Sequence, residues 1–134
     1  MSAVDHVGIA SESIESAMGF WEILGFVPSQ THVNDEHGVR IKMLESPESP
    51  TRIELLEPLG PDTPVGRFIS ARGAGIQQLA IRGDDIEESI ARLLESGVRM
   101  VDERPASGTE SSRIAFVHPS STGGVLVELV EYAD

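Results

Sequence analysis

The chain of 134 residues contains no cysteine. That excludes disulfides and Cys-ligated zinc, and says little about compartment. It also lacks any apolar run long enough to span a bilayer. No basic segment precedes the first apolar stretch, so no signal peptide is expected and the cytoplasm is the default location. Lysine is nearly missing: Lys42 is the only one, and arginine supplies nine of the ten cations. With a formal net charge of −12, a general basic footprint for nucleic acid is excluded. A polyanionic ligand would need a local arginine patch. The acidity itself reads as solvated faces that keep the chain soluble. The length fits one domain with one core.

What is present is a repeat. Shifted by 72 residues, Val4-Asp5-His6-Val7-Gly8-Ile9-Ala10 lies over Ile76-Gln77-Gln78-Leu79-Ala80-Ile81-Arg82. The next stretch, SESIESAMGFWEILGF, lies over GDDIEESIARLLESGV without a gap, so that Ile14 meets Ile86 and Gly25 meets Gly97. At 73, Arg40-Ile41 meets Arg113-Ile114; at 74, Ile53-Glu54-Leu55-Leu56-Glu57 meets Val127-Glu128-Leu129-Val130-Glu131. Three matches in chain order, with the offset growing one residue at a time, argue for a duplicated module.

Each module reads βαβββ. A strand (4–10 and 76–82) precedes an amphipathic helix carrying Ile14, Met18, Trp21 and Leu24, or Ile86, Ile90, Leu93 and Leu94. Ser11 or Ser13, and Asp84 or Asp85, are candidate N-caps, and Gly25 and Gly97 suit helix C-termini. Three strands then follow, at 26–33, 38–44 and 52–57 in one module and 98–103, 112–117 and 125–132 in the other. Module one is 4–59 and module two is 75–132. Between them, 60–74 predicts a short helix with Pro64 at N1 and Val65, Phe68 and Ile69 as its apolar face. The segments 45–51 and 105–111 read as turns.

Strand residues alternate between faces. If Val7 and Ile9 pack on the helix, His6 and Gly8 take the other face; Gln78 and Ala80 do the same in the second copy. Likewise Glu54 lies opposite the face of Ile53 and Leu55, and Glu128 opposite that of Val127 and Leu129. Taken singly, a strand histidine, glutamate or glutamine is a hydrogen-bonded or surface residue. As two repeat-equivalent pairs in apolar strands they are costly without partners, and a shared cation would satisfy all four. Gln77 should face away from them and be structural. Glu57 and Glu131, of opposite parity, read as surface charges, and His37 as a loop residue.

The stretches DHVGIA, IELLEPLGPDTPVGRFI, GIQQLAI with DDIEESIARLLESGVR, and AFVHPSSTGGVLVELVE resemble the methylmalonyl-CoA epimerase family. That family belongs to the vicinal oxygen chelate superfamily, with the glyoxalases and bleomycin-resistance proteins. The resemblance covers nearly the whole chain. It implies an α+β fold of two βαβββ modules forming one cupped eight-stranded mixed sheet. It implies a divalent metal (cobalt, manganese, zinc or magnesium) held by His6, Glu54, Gln78 and Glu128, an acyl-CoA substrate and a homodimer. The implied chemistry is proton abstraction α to a thioester, with Glu54 and Glu128 as the two acid/base groups. One version of the family has a glutamate in the second strand of module one and a glutamine ligand. The other has an apolar residue and a glutamate ligand, as do Ile41 and Glu54 here. Two departures stand out. Gln78 replaces the family histidine, which tilts preference towards oxygen-loving ions and also resembles a ligand set of glyoxalase I. Ser120 replaces a common lysine, with Arg40, Arg72 and Arg113 as candidate substitutes. A glyoxalase I-like lyase and a non-catalytic ligand-binding module are the alternatives. The two glutamates argue against a pure binder, and the linker and C-terminal motifs favour the epimerase.

Overall fold

The computed structural model describes residues 2–133. The outermost bounds of the expected domain, Met1 and Asp134, lie outside the described residues. Two compact units are distinguished among the described residues: 6–77, and 2–5 with 78–133.

The first unit follows the module plan. β1 (Ala3–Ala10) leads to α1 (Ile14–Ile23), then β2 (Val27–Asn34), β3 (Val39–Ser46), β4 (Ser49–Pro58) and α2 (Pro64–Arg72). The strand order is β2-β3-β4-β1, with β1 parallel to β4 and the other pairs antiparallel. Ser13 is the N-cap of α1, its hydroxyl accepting the Ser16 N–H at 3.2 Å. The helix ends where Gly25 takes φ +97, a conformation glycine adopts without Cβ strain. The apolar face of α1 packs Ile14, Met18 and Trp21 on Leu44, Ile53 and Leu55. Leu44 and Leu55 are fully enclosed, each worth about 1.5–3 kcal/mol of burial. The opposite sheet face carries Ala10, Val39, Ile41 and Leu56, covered by Val65, Phe68 and Ile69 of α2. Thr63 caps that helix, and Pro64 opens it at N1 as expected. A Cβ on Gly66 would come within 2.3 Å of the Gly60 carbonyl oxygen, so only glycine lets α2 lie this close to the chain that leads into it.

The second unit repeats the plan with β5 (Gly75–Arg82), α3 (Ile86–Glu95), β6 (Ala106–Ser107), β7 (Ser112–Val117) and β8 (Leu126–Tyr132). The order is β5-β8-β7-β6, with β5 parallel to β8. Asp85 caps α3. Ile86 and Ile90 pack on Met100, Ala115 and Val117. The other face gathers Ala80, Ile114 and Val130, with Phe116 and Tyr132 against them.

Three expectations are corrected. Residues 98–103 do not form a ladder strand: Met100 makes one isolated bridge to Val117. The Val101 and Asp102 N–H groups both donate to the Phe116 carbonyl, at 2.8 and 3.2 Å, and the Asp102 carboxylate accepts the Phe116 N–H at 2.9 Å. A side chain here does the work of a strand, which aspartate does readily. The expected turn at 105–111 contains β6, paired with β7 through Ala106↔Ile114 and Ser107↔Arg113. The expected turn at 45–51 shrinks to Pro47-Glu48, closed by Ser46↔Ser49. Pro50 sits near the start of β4, where a missing N–H is tolerated. No helix among the described residues is long and apolar enough to cross a membrane.

Candidate active site

In the first unit the parallel β1–β4 register sets Gly8 beside Glu54, which puts His6 on the same face, two residues along. His6 Nε2 lies 3.4 Å from Glu54 Oε1. In the second unit Ala80 is beside Glu128, and Gln78 Nε2 donates to Glu128 Oε1 at 3.0 Å. The four residues are 3, 4, 7 and 6% exposed for His6, Glu54, Gln78 and Glu128. Each unit thus buries one neutral donor group and one carboxylate, on equivalent strands and at equivalent heights. Both pairs lie on the strand faces turned away from α1 and α3, which pack on Ile9, Ile53 and Leu55 and on Val127 and Leu129.

Burying a carboxylate costs several kcal/mol unless its charge is met. Each pair offers donor atoms of a kind that divalent ions take: an imidazole nitrogen and a carboxylate in the first unit, an amide oxygen and a carboxylate in the second. Oxygen and imidazole donors favour hard or borderline ions over thiophilic ones. Around the pairs the same face is apolar. Met43 lies opposite Glu54 and Phe116 opposite Glu128. Ile41, on β3, is buried under α2.

A second repeated constellation was missed by the sequence reading. Glu57 and Glu131 are not free surface charges. Glu57 accepts the Ile14 N–H at 2.8 Å and pairs with Arg40. Glu131 accepts the Ile86 N–H at 3.0 Å and pairs with Arg113 at 2.8 Å; Arg113 also reaches Glu87 at 2.5 Å. Each carboxylate therefore ties the end of its strand to the positive end of its helix. The Arg113 hydrogen bond, followed by the Ile86 N–H, holds the Glu131 carboxyl below its ordinary value. The hydrogen bonds from Glu87 and Glu131 raise Arg113 further above its own. The signal was legible: both Arg40/Arg113 and Glu57/Glu131 align in the repeat. These ion pairs occupy Arg40 and Arg113, two of the candidate substitutes for the lysine. Arg72 lies 5.8 Å over the Phe68 ring.

Asp5 was also overlooked. It is buried, accepts the Tyr132 hydroxyl at 2.6 Å and lies 3.6 Å from Arg82. Its repeat partner is Gln77, whose Oε1 is buried without a hydrogen-bond partner among the described residues. Ser120 belongs to a 3-10 turn, Pro119–Ser121, and donates its N–H to His118 Nδ1 at 3.0 Å. His37 is in the β2–β3 turn, bonded to Asn34 at 2.9 Å, as a loop residue should be.

Residues 5–116 match the model of the Glyoxalase/Bleomycin resistance protein/Dioxygenase superfamily, the class that paired βαβββ modules define. The methylmalonyl-CoA epimerase of Mycobacterium tuberculosis is 42% identical, with a TM-score of 0.93 over 98% of this chain and 88% of that one. A methylmalonyl-CoA epimerase solved with methylmalonyl-CoA and NH4+ is 35% identical, with a TM-score of 0.92 over 99% of this chain and 96% of that one. The ethylmalonyl-CoA/methylmalonyl-CoA epimerase of Cereibacter sphaeroides is 33% identical over 129 residues, 94% of this chain and 95% of that protein. The chain belongs to the methylmalonyl-CoA epimerase family of that superfamily, a family of isomerases, and has its α+β fold of eight strands in mixed pairing.

Proposed function

We propose that this protein is a metal-dependent epimerase that inverts the α-carbon of methylmalonyl-CoA, or of a close 2-substituted malonyl thioester. The observation that carries the reading is the pair of buried, repeat-equivalent sites, His6–Glu54 and Gln78–Glu128, at 3.4 and 3.0 Å. Family membership supplies the substrate class. The proposal treats residues 1–134 as one working domain, a cytoplasmic homodimer, in which both pairs serve one substrate.

His6, Glu54, Gln78 and Glu128 would hold the divalent ion, be it cobalt, manganese, zinc or magnesium. When bound, such an ion polarises thioester and carboxylate oxygens as a Lewis acid. The remaining chemistry belongs to the glutamates. One carboxylate removes the α-proton, and the C–H electron pair passes into the enolate. The other, protonated, returns a proton to the opposite face of the same carbon. The roles exchange in the reverse direction, as microscopic reversibility requires. Two-base inversion suits a repeat, because the duplicated modules supply the same acid/base residue twice. The apolar strand faces beside each glutamate exclude water, which strengthens every charge interaction there.

The test is inversion itself. The purified protein, stripped with a chelator and reloaded with one divalent ion at a time, is given one epimer of methylmalonyl-CoA. The reading expects conversion to a mixture of both epimers that depends on the added ion. Retained configuration with every ion would overturn it.

A further inference from the structure

The two candidate acid/base residues have different neighbours. Met43 lies directly across from Glu54 and Phe116 directly across from Glu128. Opposed residues of an antiparallel pair share a face, with Cβ atoms about 4.5–5.5 Å apart. On its other side Glu128 has Ala80, a single methyl group. Glu128 therefore stands in a row between a small side chain and an aromatic ring.

Met43 is fully buried, and a thioether chain repacks easily. Phe116 is only partly buried and rests on Ala80, Ile114 and Val130. Its backbone is held on both sides. The N–H is taken by the Asp102 carboxylate at 2.9 Å, and the carbonyl by the Val101 and Asp102 N–H groups at 2.8 and 3.2 Å. The irregular segment 98–103 thus clamps this residue where a regular edge strand was expected. The ring itself has few torsions to adjust. A rigid apolar wall beside a proton-transferring carboxylate can contact only the apolar part of the reacting carbon. The carboxylate and thioester groups on that carbon require polar partners.

We propose that Phe116 is a specificity-determining residue whose ring bounds the space for the 2-substituent, admitting methyl and penalising longer alkyl groups. The inference rests on the proposed function, since it takes Glu128 to handle the α-proton. The substituent is bonded to the same carbon and so lies within reach of whatever flanks Glu128.

The experiment compares α-proton exchange in methylmalonyl-CoA and ethylmalonyl-CoA. The proteins are the metal-loaded wild type, Phe116→Leu, Phe116→Met and Met43→Leu, each checked by thermal melting. One methylene against an apolar wall changes kcat/KM by about 10-fold or more. Phe116→Leu and Phe116→Met are expected to shift the ethyl-to-methyl ratio upward by about tenfold, chiefly by a gain with ethylmalonyl-CoA. Met43→Leu should leave that ratio within about twofold, as volume-conserving swaps do. An unchanged ratio in the folded Phe116 variants, with methylmalonyl-CoA exchange intact, would overturn this inference and leave the proposed function standing. An equal shift in Met43→Leu would overturn it too. A wild type that exchanges neither thioester would overturn the proposed function itself, and the inference with it.

Discussion

The first unit closes its sheet with an eight-residue edge strand, β2, whose register shifts between Pro28 and Thr31, whereas the second substitutes an irregular segment and the two-residue β6. The helices differ as well. α1 leaves Phe20 and Ile23 exposed, with Ile23 at 85%, and its C-cap Leu24, expected on the apolar face, is exposed too, while the outer face of α3 carries Glu87, Glu88, Arg92 and Glu95. Against this divergence, two features are the same in both units. One is the buried neutral–carboxylate pair on the first and last strands. The other is the strand-end glutamate that holds the N-terminus of the helix and an arginine. The edges of the repeat changed more than its buried pairs, which differ by His6 against Gln78, and more than the glutamates that brace its helices. In a duplicated fold that contrast separates residues held by chemistry from residues held by packing alone.

The comparison can be broken at its chemical centre first. Glu54→Gln and Glu128→Gln should each lower the rate of inversion by about 10²–10⁴-fold, the range for losing a positioned acid or base. A large loss in one and full activity in the other would end the claim of equivalent roles. Next comes packing. Ile14→Ala and Ile86→Ala remove repeat-equivalent buried side chains, and each should cost about 2–5 kcal/mol in urea unfolding. A cost near zero at either position would show that the two helices are not equally anchored. A smaller effect is expected from restoring symmetry in the donor set. Gln78→His should raise affinity for zinc relative to magnesium by at least about tenfold, the scale on which ligand surroundings act, read by calorimetry without substrate. An unchanged ratio would remove Gln78 from the ligand set.

The smallest effect concerns the braces. Glu131 is held below its ordinary value by Arg113 and the Ile86 N–H. A depressed carboxyl stabilises the fold above its unfolded value, about 4.3, and that contribution is lost as pH falls through the lower folded value. Glu131→Gln should therefore be less stable than wild type at neutral pH, with the gap closing below about pH 4. The gap should be small because the pair is solvent-screened. A gap that widens in acid would contradict the assignment.

Much of this was legible in the sequence because alternation is a geometric rule. Once Val7, Ile9, Leu79 and Ile81 were set against helices, His6, Gln78, Glu54 and Glu128 had one face left to take. Helix ends were legible for a similar reason: Ser13, Asp85, Gly25 and Gly97 act locally. What escaped was set by distant partners. Parity gave Glu57 and Glu131 a face but could not say that they reach a helix N-terminus 43 and 45 residues away in sequence. Asp5 reads as an ordinary strand aspartate until Tyr132, 127 positions later, is brought to it. The stretch 98–103 has strand-like residues, but Asp102 turns its side chain on the backbone of Phe116 and the ladder does not form.

The central claim is that this chain exchanges the α-proton of a malonyl thioester through two glutamates. It is tested most directly by incubating the metal-loaded protein with methylmalonyl-CoA in deuterium oxide and following the α-carbon by NMR. The account predicts loss of the α-proton signal, with deuterium appearing in both epimers, and near-complete loss of the interconversion of the epimers in Glu128→Gln. An α-proton that persists through prolonged incubation with the wild-type protein would contradict it.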